Sequence, residues 1–178
     1  MNIDQLKGKT IGAAVSGGLD SCTMTRWLVN HDVKVVCFSA DLAQPDEKNI
    51  NDVRHRMLAS GADEAIIVDA KDALAEAGLK LIQAQSKYEG GYWNTTGIAR
   101  HITVQAILPE LQKRQINILS HGSTGRGNDQ VRFQLATNML NPNIQIYAPW
   151  RDQKFLDRFG GRKEMINFCQ QNDLPITA

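Results

Sequence analysis

The sequence lacks an excess of charge of either sign. It holds 20 Lys and Arg residues against 19 Asp and Glu residues, which gives a formal net charge of +1 at pH 7. Binding to duplex nucleic acid or to an anionic membrane draws on a surplus of positive charge, so neither is expected as the main partner. The net charge does not exclude a local basic patch.

Cysteine is scarce as well, and several other signals are missing. The three cysteines, Cys22, Cys37 and Cys169, are odd in number and contain no Cys-x-x-Cys pair, so neither a disulfide framework nor a zinc site is predicted. The four histidines show no metal-ligand spacing. The first residues do not form a signal peptide, and no apolar run reaches the roughly 18–20 residues of a membrane span. A cytoplasmic protein with reduced thiols is expected.

A regular alternation of short apolar and amphipathic segments is present instead. The 178 residues match the size of one domain. Strands are predicted at about 10–15, 33–38, 65–68, 116–119 and 144–147, and helices at about 20–30, 47–60, 71–86, 98–114, 129–140 and 162–172. This order predicts an α/β fold: a doubly wound, about five-stranded parallel sheet with helices on both faces.

The segment Ser-Gly-Gly-Leu-Asp-Ser at 16–21 joins the first strand to the first helix. Glycines let the backbone approach an anion, and free N–H groups at a helix start can hold phosphate. Gly-Gly alone is more often a structural turn, but the whole string favours a phosphate loop. A side chain at Gly17 is predicted to block phosphate without harming the fold. Asp20 is predicted to cap the helix or to help hold Mg²⁺.

Three further stretches carry polar residues at predicted strand ends or helix starts, where open α/β sheets bind ligands: 39–47, 88–100 and 121–133. Ala40 is small enough for a flat base to pack close. Arg132 offers a planar fork suited to a carboxylate, although a lone Arg is usually in a surface ion pair. Asp129 is by default a helix N-cap, and His121 is more often a satisfied strand-end histidine than a base.

The 16–21 string resembles the PP-loop of the N-type ATP pyrophosphatases, adenylating enzymes that split ATP into AMP and pyrophosphate. The Walker A loop and the dinucleotide-binding Gly-x-Gly-x-x-Gly are both absent. The 16–21 string carries the resemblance together with the stretches 39–47, 88–100 and 121–133 and with Ala-Pro-Trp-Arg at 148–151. On these stretches the chain is similar to the nucleotide-binding domain of argininosuccinate synthases along nearly its whole length.

The resemblance implies a reaction and a set of residues. ATP, with Mg²⁺, adenylates the ureido oxygen of citrulline, and the amine of aspartate then displaces AMP to give argininosuccinate. Asp20 and Asp129 are the implied catalytic residues. The implied ATP contacts are Ala14, Val15, Ser16, Gly17, Gly18, Leu19, Asp20, Ser21, Cys22, Ala40 and Gly122. Thr124, Asn128 and Asp129 would hold aspartate, and Tyr92, Asn128 and Arg132 would hold citrulline. No metal ligand from the protein is implied beyond Asp20.

The chain departs from the family pattern at several positions. Gly97 stands where many members have a serine that contacts citrulline, Arg126 replaces a lysine, and Ala43 replaces a glycine. Family members continue into a synthetase domain, so residues 1–178 are expected to be a single nucleotide-binding domain without that half. The chain alone is therefore expected to show weak activity or none. A homo-oligomer, or a partner chain that supplies the second half, is the expected assembly. A PP-loop ligase with another amino-acid or amide acceptor, or a non-catalytic nucleotide-binding module, stays an alternative.

Overall fold

The computed structural model describes residues 1–44, 49–125 and 127–176. The strands within these ranges are β1 (Thr10–Ala14), β2 (Lys34–Asp41), β3 (Glu64–Asp69), β4 (Lys87–Tyr88), β5 (Tyr92–Trp93), β6 (Ile118–His121) and β7 (Gln145–Tyr147). Five of them form one parallel sheet in the order β3-β2-β1-β6-β7, and β4 and β5 form a separate antiparallel hairpin.

Seven α-helices occur within the same ranges: α1 (Leu19–Val29), α2 (Ile50–Ala59), α3 (Lys71–Gln83), α4 (Thr95–Lys113), α5 (Asn128–Leu140), α6 (Gln153–Arg158) and α7 (Arg162–Gln171). Short 3-10 helices cover Ile3–Leu6 and Pro149–Arg151. None of the described helices combines the length and the apolar character that crossing a membrane requires.

The sheet is buried on both faces because alternate residues of its strands enter different cores. In β2, Val35 and Cys37 pack with the apolar residues of α1, α2, α6 and α7. Val36 and Phe38 enter the opposite core, with residues of α4 and α5. A smaller cluster joins the end of β2 to α3 and α4. The doubly wound parallel sheet predicted from the sequence is therefore confirmed.

Gly12 explains how closely α4 approaches the central strand. A Cβ atom at this position would lie 2.3 Å from Cδ2 of Leu111 on α4 and 3.1 Å from Cε2 of Phe38. Real side chains do not come this close, so glycine is required for α4 to pack directly on β1. This contact holds the long helix whose first turn borders the cavity described below.

The predicted element bounds agree with the structure to within a few residues, with specific exceptions. The hairpin β4–β5 and helix α6 were not predicted, since segments of two and six residues are too short to show a periodicity. Helix α4 begins at Thr95, earlier than predicted. The first residues predicted for the second helix, 47 and 48, lie outside the described ranges.

The strand order creates a crevice between β1 and β6. The chain runs from β1 outward through β2 to β3, and the later strands β6 and β7 lie on the other side of β1. Connections that leave neighbouring strands in opposite directions open a gap at their carboxyl ends, which is where open α/β sheets bind ligands. The loop after β1 and the loop after β6 both begin at this crevice.

Candidate functional site

A cavity of about 900 Å³ lies at the carboxyl ends of β1, β2 and β6. The hairpin and the first turns of α1, α4 and α5 contribute to its walls. Its lining consists of Ala14, Val15, Ser16, Asp20, Ser21, Ala40, Leu42, Gln44, Tyr88, Tyr92, Asn94, Thr96, Arg100, Thr103, His121, Gly122, Ser123, Thr124, Gly127, Asn128, Asp129, Arg132 and Phe133. Its volume suits a nucleotide-sized ligand.

Most residues predicted from the sequence meet in this one cavity. Of the implied ATP contacts, Ala14, Val15, Ser16, Asp20, Ser21, Ala40 and Gly122 line it, and all of those implied for aspartate and citrulline do so too. Gly17, Gly18, Leu19 and Cys22 belong to the loop and to the first turn of α1 but are not part of the lining. Cys22 is buried, and its Sγ lies 3.9 Å from the Gly17 carbonyl oxygen.

The loop after β1 is held in shape by its own side chains. The Ser16 N–H donates a hydrogen bond to Oγ of Ser21 at 3.0 Å, which ties the start of the loop to the first turn of α1. Gly18 is the N-cap of α1 and supplies no side-chain cap. The first N–H groups of the helix have no partner within it, so together with the positive end of the helix dipole they can bind an anion.

The two glycines of this loop have different roles, which corrects the expectation for Gly17. Gly17 is buried with φ +78°, and a Cβ there would lie 2.9 Å from Nη2 of Arg56 and 3.0 Å from Cγ1 of Val53. A side chain at Gly17 therefore strikes α2 and strains the backbone, rather than leaving the fold intact. Gly18 has φ −81°, and a Cβ there would meet only the Ser16 hydroxyl oxygen, at 3.8 Å.

Asp20 lies beside the end of β6. A Cβ at Gly122 would be 3.6 Å from Cβ of Asp20, so glycine keeps this part of the cavity open. Asp20 is the second residue of α1 and not its cap, since the N-cap is Gly18. Within the described ranges, no three His, Cys, Asp or Glu side chains cluster as a metal site. A single carboxylate suits Mg²⁺ bound with a nucleotide, because Mg²⁺ usually takes its other ligands from phosphate oxygens and water.

Asp129 is held between two guanidinium groups. Its Oδ2 accepts a hydrogen bond from Nε of Arg100 at 3.0 Å and forms an ion pair with Nη2 of the same arginine at 2.9 Å. Its Oδ1 accepts a hydrogen bond from Nη1 of Arg132 at 2.8 Å. Burial opposes the charged form, but Arg132 and Arg100 hold the pKa of the Asp129 carboxyl below its usual value. The default expectation of an N-cap is wrong, because the N-cap of α5 is Gly127.

The hydroxyl of Tyr92 organises the start of α4. It lies 2.5 Å from Oγ1 of Thr96 and 3.2 Å from Oγ1 of Thr95, and it accepts a hydrogen bond from the Thr96 N–H at 3.3 Å. These hydrogen bonds lower the pKa of the Tyr92 phenol. The Tyr92 hydroxyl therefore caps the N-terminus of α4 in place of an N-cap side chain, and it holds the hairpin against the helix at the cavity wall.

His121 ends β6 and is fully buried against the ring of Phe133, with 4.8 Å between ring centroids and 13° between planes. Its Nδ1 accepts a hydrogen bond from the Ser123 N–H at 3.3 Å, while Nε2 has no partner within the described residues. The expectation of a fully satisfied histidine is therefore met at only one ring nitrogen. Burial lowers the pKa of His121 to about 4, so the ring is neutral at neutral pH and carries its proton on Nε2.

We expect the buried His121 ring to make the protein less stable in mild acid. The unfolded chain binds a proton near pH 6.5, whereas the folded chain does so only near pH 4. Stability is therefore complete above pH 6.5 and falls with pH through this window, by about 3 kcal/mol in all. Urea unfolding at a series of pH values measures this loss.

Two variants assign the loss to His121. His121→Phe keeps the stacked ring and should flatten the dependence between pH 6.5 and 4. His55→Gln, at an exposed histidine on α2, should leave it unchanged. A parent protein whose free energy of unfolding is constant through this window would contradict the assignment.

Three departures from the family pattern have different outcomes. Ala43 adopts φ +56°, a backbone conformation that glycine tolerates best, which explains why a glycine is common there. At Gly97, a Cβ would lie 2.6 Å from Oδ1 of Asn94, so the asparagine side chain occupies that space. The departure at residue 126 lies outside the described ranges.

Several residues of the cavity were not assigned from the sequence, most importantly Arg100 and Asn94. Arg100 lies 29 positions before Asp129 and meets it only because α4 packs on α5. Both residues fall within the segment 88–100, which was singled out for its polar character. The composition of that loop was the available signal, but it could not identify which side chains reach the cavity.

A family model for the Arginosuccinate synthase N-terminal HUP domain matches residues 10–175. This match covers β1 and every later strand and helix, and it includes each stretch that lines the cavity. The chain belongs to this family. Its doubly wound sheet is the HUP fold.

Two curated relatives agree with this membership. The chain is 37% identical over 166 residues to argininosuccinate synthase from Aedes aegypti and 34% identical over 166 residues to that from Anopheles gambiae. Each alignment covers 93% of this chain but only 40% and 39% of the relatives, respectively, so the chain spans about two fifths of their length.

The structural comparison concerns the fold alone. The structure of a predicted subunit of a tRNA methyltransferase from Methanocaldococcus jannaschii superimposes with a TM-score of 0.53 at 16% identity. The superposition covers 91% of this chain and 74% of that one.

Proposed function

We propose that the chain is the ATP-binding part of an argininosuccinate synthase, with residues 1–178 forming one nucleotide-binding domain. The observation that carries this proposal is the single cavity in which the loop after β1 meets the polar residues of α4 and α5. ATP would bind with Mg²⁺, and citrulline and aspartate would bind beside it. The family match and the identity to argininosuccinate synthases support this assignment.

In this proposal the loop after β1 holds the phosphates. Free N–H groups at the start of α1 and the hydroxyls of Ser16 and Ser21 donate to phosphate oxygens. The small side chains of Ala14 and Ala40, at the ends of adjacent strands, leave room for a flat base. Asp20 would bind Mg²⁺, which supplies charge neutralisation on the phosphates.

The opposite wall would hold the two amino acids. Arg132 offers a planar fork for a carboxylate, and its pairing with Asp129 fixes its direction before any substrate arrives. Two hydrogen bonds from the arginines already occupy Asp129, so the ammonium of aspartate would take a remaining lone pair. Thr124 and Asn128 add neutral polar contacts at the same helix start.

The chemistry then needs position more than a strong acid or base. A urea oxygen leaves poorly, but its bond to the α-phosphorus of ATP, formed as pyrophosphate departs, makes it part of an AMP leaving group. The amine of aspartate attacks the ureido carbon, loses a proton and displaces AMP. Fixed groups that align the three substrates would supply most of the rate.

The proposal is tested by pyrophosphate release from the purified 178-residue chain with ATP, Mg²⁺, citrulline and aspartate. We expect nucleotide binding that calorimetry can measure, but turnover below the roughly 1 per second of ordinary enzymes. The reason is that the relatives carry more than half of their length beyond the matched region, and further citrulline contacts are expected there. A partner chain that carries a synthetase half should raise the rate, and a homo-oligomer is the simpler alternative assembly.

Other outcomes of the same assay separate the rival functions. Release that depends on a different amino acid or amide would assign another ligase reaction to the same cavity. ATP binding without release for any acceptor, even with the synthetase half of a relative supplied, would indicate a nucleotide-binding module. A chain that binds no ATP would overturn the proposal.

A further inference from the structure

Asn94 occupies the N-cap position of α4 without acting as a cap. An asparagine there normally accepts a hydrogen bond from the N–H of the second or third helical residue. The Asn94 side chain makes no such bond, and its backbone angles, φ −72° and ψ 49°, are not those of a usual cap. The hydroxyl of Tyr92 accepts from the Thr96 N–H instead. The amide of Asn94 is thus left available for another partner.

The position of that amide depends on Gly97. A Cβ at residue 97 would lie 2.6 Å from Oδ1, 3.1 Å from Cγ and 3.1 Å from Nδ2 of Asn94. Distances under 3.0 Å do not occur for real Cβ atoms, so any other residue at 97 would force the asparagine side chain away. Gly97 has no positive φ that would require glycine for backbone reasons. The structural effect of Gly97 is therefore to leave room for the side chain of Asn94.

Asn94 lies on the wall of the cavity where the amino-acid substrates are proposed to bind. It lines the cavity with Tyr92, Thr96, Arg100 and Arg132, and no hydrogen bond within the described residues uses its side-chain amide. An amide presents a donor and an acceptor side by side. A ureido or carboxamide group presents the complementary pair, whereas a phosphate or a carboxylate presents acceptors alone.

We propose that the Asn94 amide binds the ureido or carboxamide end of the acceptor amino acid, and that Gly97 is the residue that makes room for it. The proposal rests on the proposed function. It assigns Asn94 as a specificity residue, whose amide takes the place of a polar side chain on residue 97. The lost serine at 97 therefore does not leave the acceptor without a polar contact.

Three variants test the pair by the dissociation constant of L-citrulline, with Mg²⁺ and an ATP analogue that cannot be cleaved between the α- and β-phosphates. Asn94→Ala should weaken citrulline binding by about three- to tenfold, the effect of one neutral hydrogen bond. Gly97→Ala should weaken it by a similar factor because its methyl group displaces the asparagine. Gly97→Ser should stay within about threefold of the parent, since its hydroxyl takes over the contact.

A structural role alone would give a different pattern. Alanine is the better helix former, so Gly97→Ala should raise the melting temperature while it weakens citrulline binding. All three variants should bind the ATP analogue as the parent does. Asn138→Ala, at an exposed asparagine of α5 outside the cavity lining, should change neither constant.

The failures of the two proposals are distinguishable. Equal citrulline affinity in the parent, Asn94→Ala and Gly97→Ala would overturn the role of Asn94. So would a parent that binds the ATP analogue but shows no citrulline binding by calorimetry or by amide shifts in NMR. A parent that binds neither ligand would overturn the proposed function itself.

Discussion

Gly18→Val should lower the affinity for ATP·Mg²⁺ by at least about a hundredfold without a loss of stability. Its backbone, at φ −81° and ψ −176°, accepts any residue, and a Cβ there meets only the Ser16 hydroxyl oxygen, at 3.8 Å. The valine would cover the start of α1, where two or more charge-assisted hydrogen bonds to phosphate are expected, each worth about 1.5–3 kcal/mol. Calorimetric titration with ATP·Mg²⁺ measures the change.

Gly17→Ala is the matched comparison, with the opposite expected result for stability. The alanine would have to adopt φ +78°, and its Cβ would press against Arg56 and Val53. The substitution should therefore destabilise the fold by about 2–4 kcal/mol. Gly78→Val, in the middle of α3 with no atom within 4 Å of its added Cβ, should leave ATP affinity unchanged. A folded Gly18→Val protein with parental affinity would remove the loop after β1 from the ATP site.

Asp129→Asn should weaken aspartate binding by about tenfold to a hundredfold and also weaken citrulline binding. The first effect comes from the loss of a charge-assisted contact to the substrate ammonium, worth about 1.5–3 kcal/mol. The second comes from Arg132, which loses the partner that fixes its guanidinium, and from the two arginines, which then face each other without a carboxylate between them. Thermal-shift titrations with each amino acid measure both effects.

A second acidic variant controls for the loss of charge alone. Asp4→Asn removes an exposed carboxylate that pairs with Lys154 outside the cavity lining, so it should leave both titrations unchanged. Exposed pairs of this kind contribute about 1 kcal/mol or less to stability. If aspartate protects Asp129→Asn as well as it protects the parent, Asp129 does not hold the substrate and serves only to position the arginines.

The two glycines of the loop after β1 show what a local sequence pattern can and cannot predict. The string Ser-Gly-Gly-Leu-Asp-Ser predicts a phosphate loop, because glycines and a helix start are a local signal. The string could not tell which glycine faces α2, since that depends on a helix more than 30 positions away in the chain. The expectation for Gly17 was wrong for this reason, and Gly18 is the better probe.

Asp129 illustrates the same limit for charged side chains. Its place near a helix start was visible, and the N-cap is the commonest role for an acid there. The actual partners are Arg132, one turn away on α5, and Arg100, which reaches it from α4. Sequence spacing indicates the first pair but carries no information on the second.

The sequence by itself determined the parallel sheet, the order of its elements and the segments that meet at its carboxyl edge. Apolar runs buried on both faces, alternating with amphipathic helices, admit few arrangements, and strand ends of a parallel sheet share one edge. The tertiary structure alone decided the surroundings of individual side chains. It placed two arginines on Asp129, left Nε2 of His121 without a partner among the described residues, and let Gly97 make room for Asn94. Each of these depends on distances of about 3 Å between atoms, and helix packing sets such distances only after the whole core has formed.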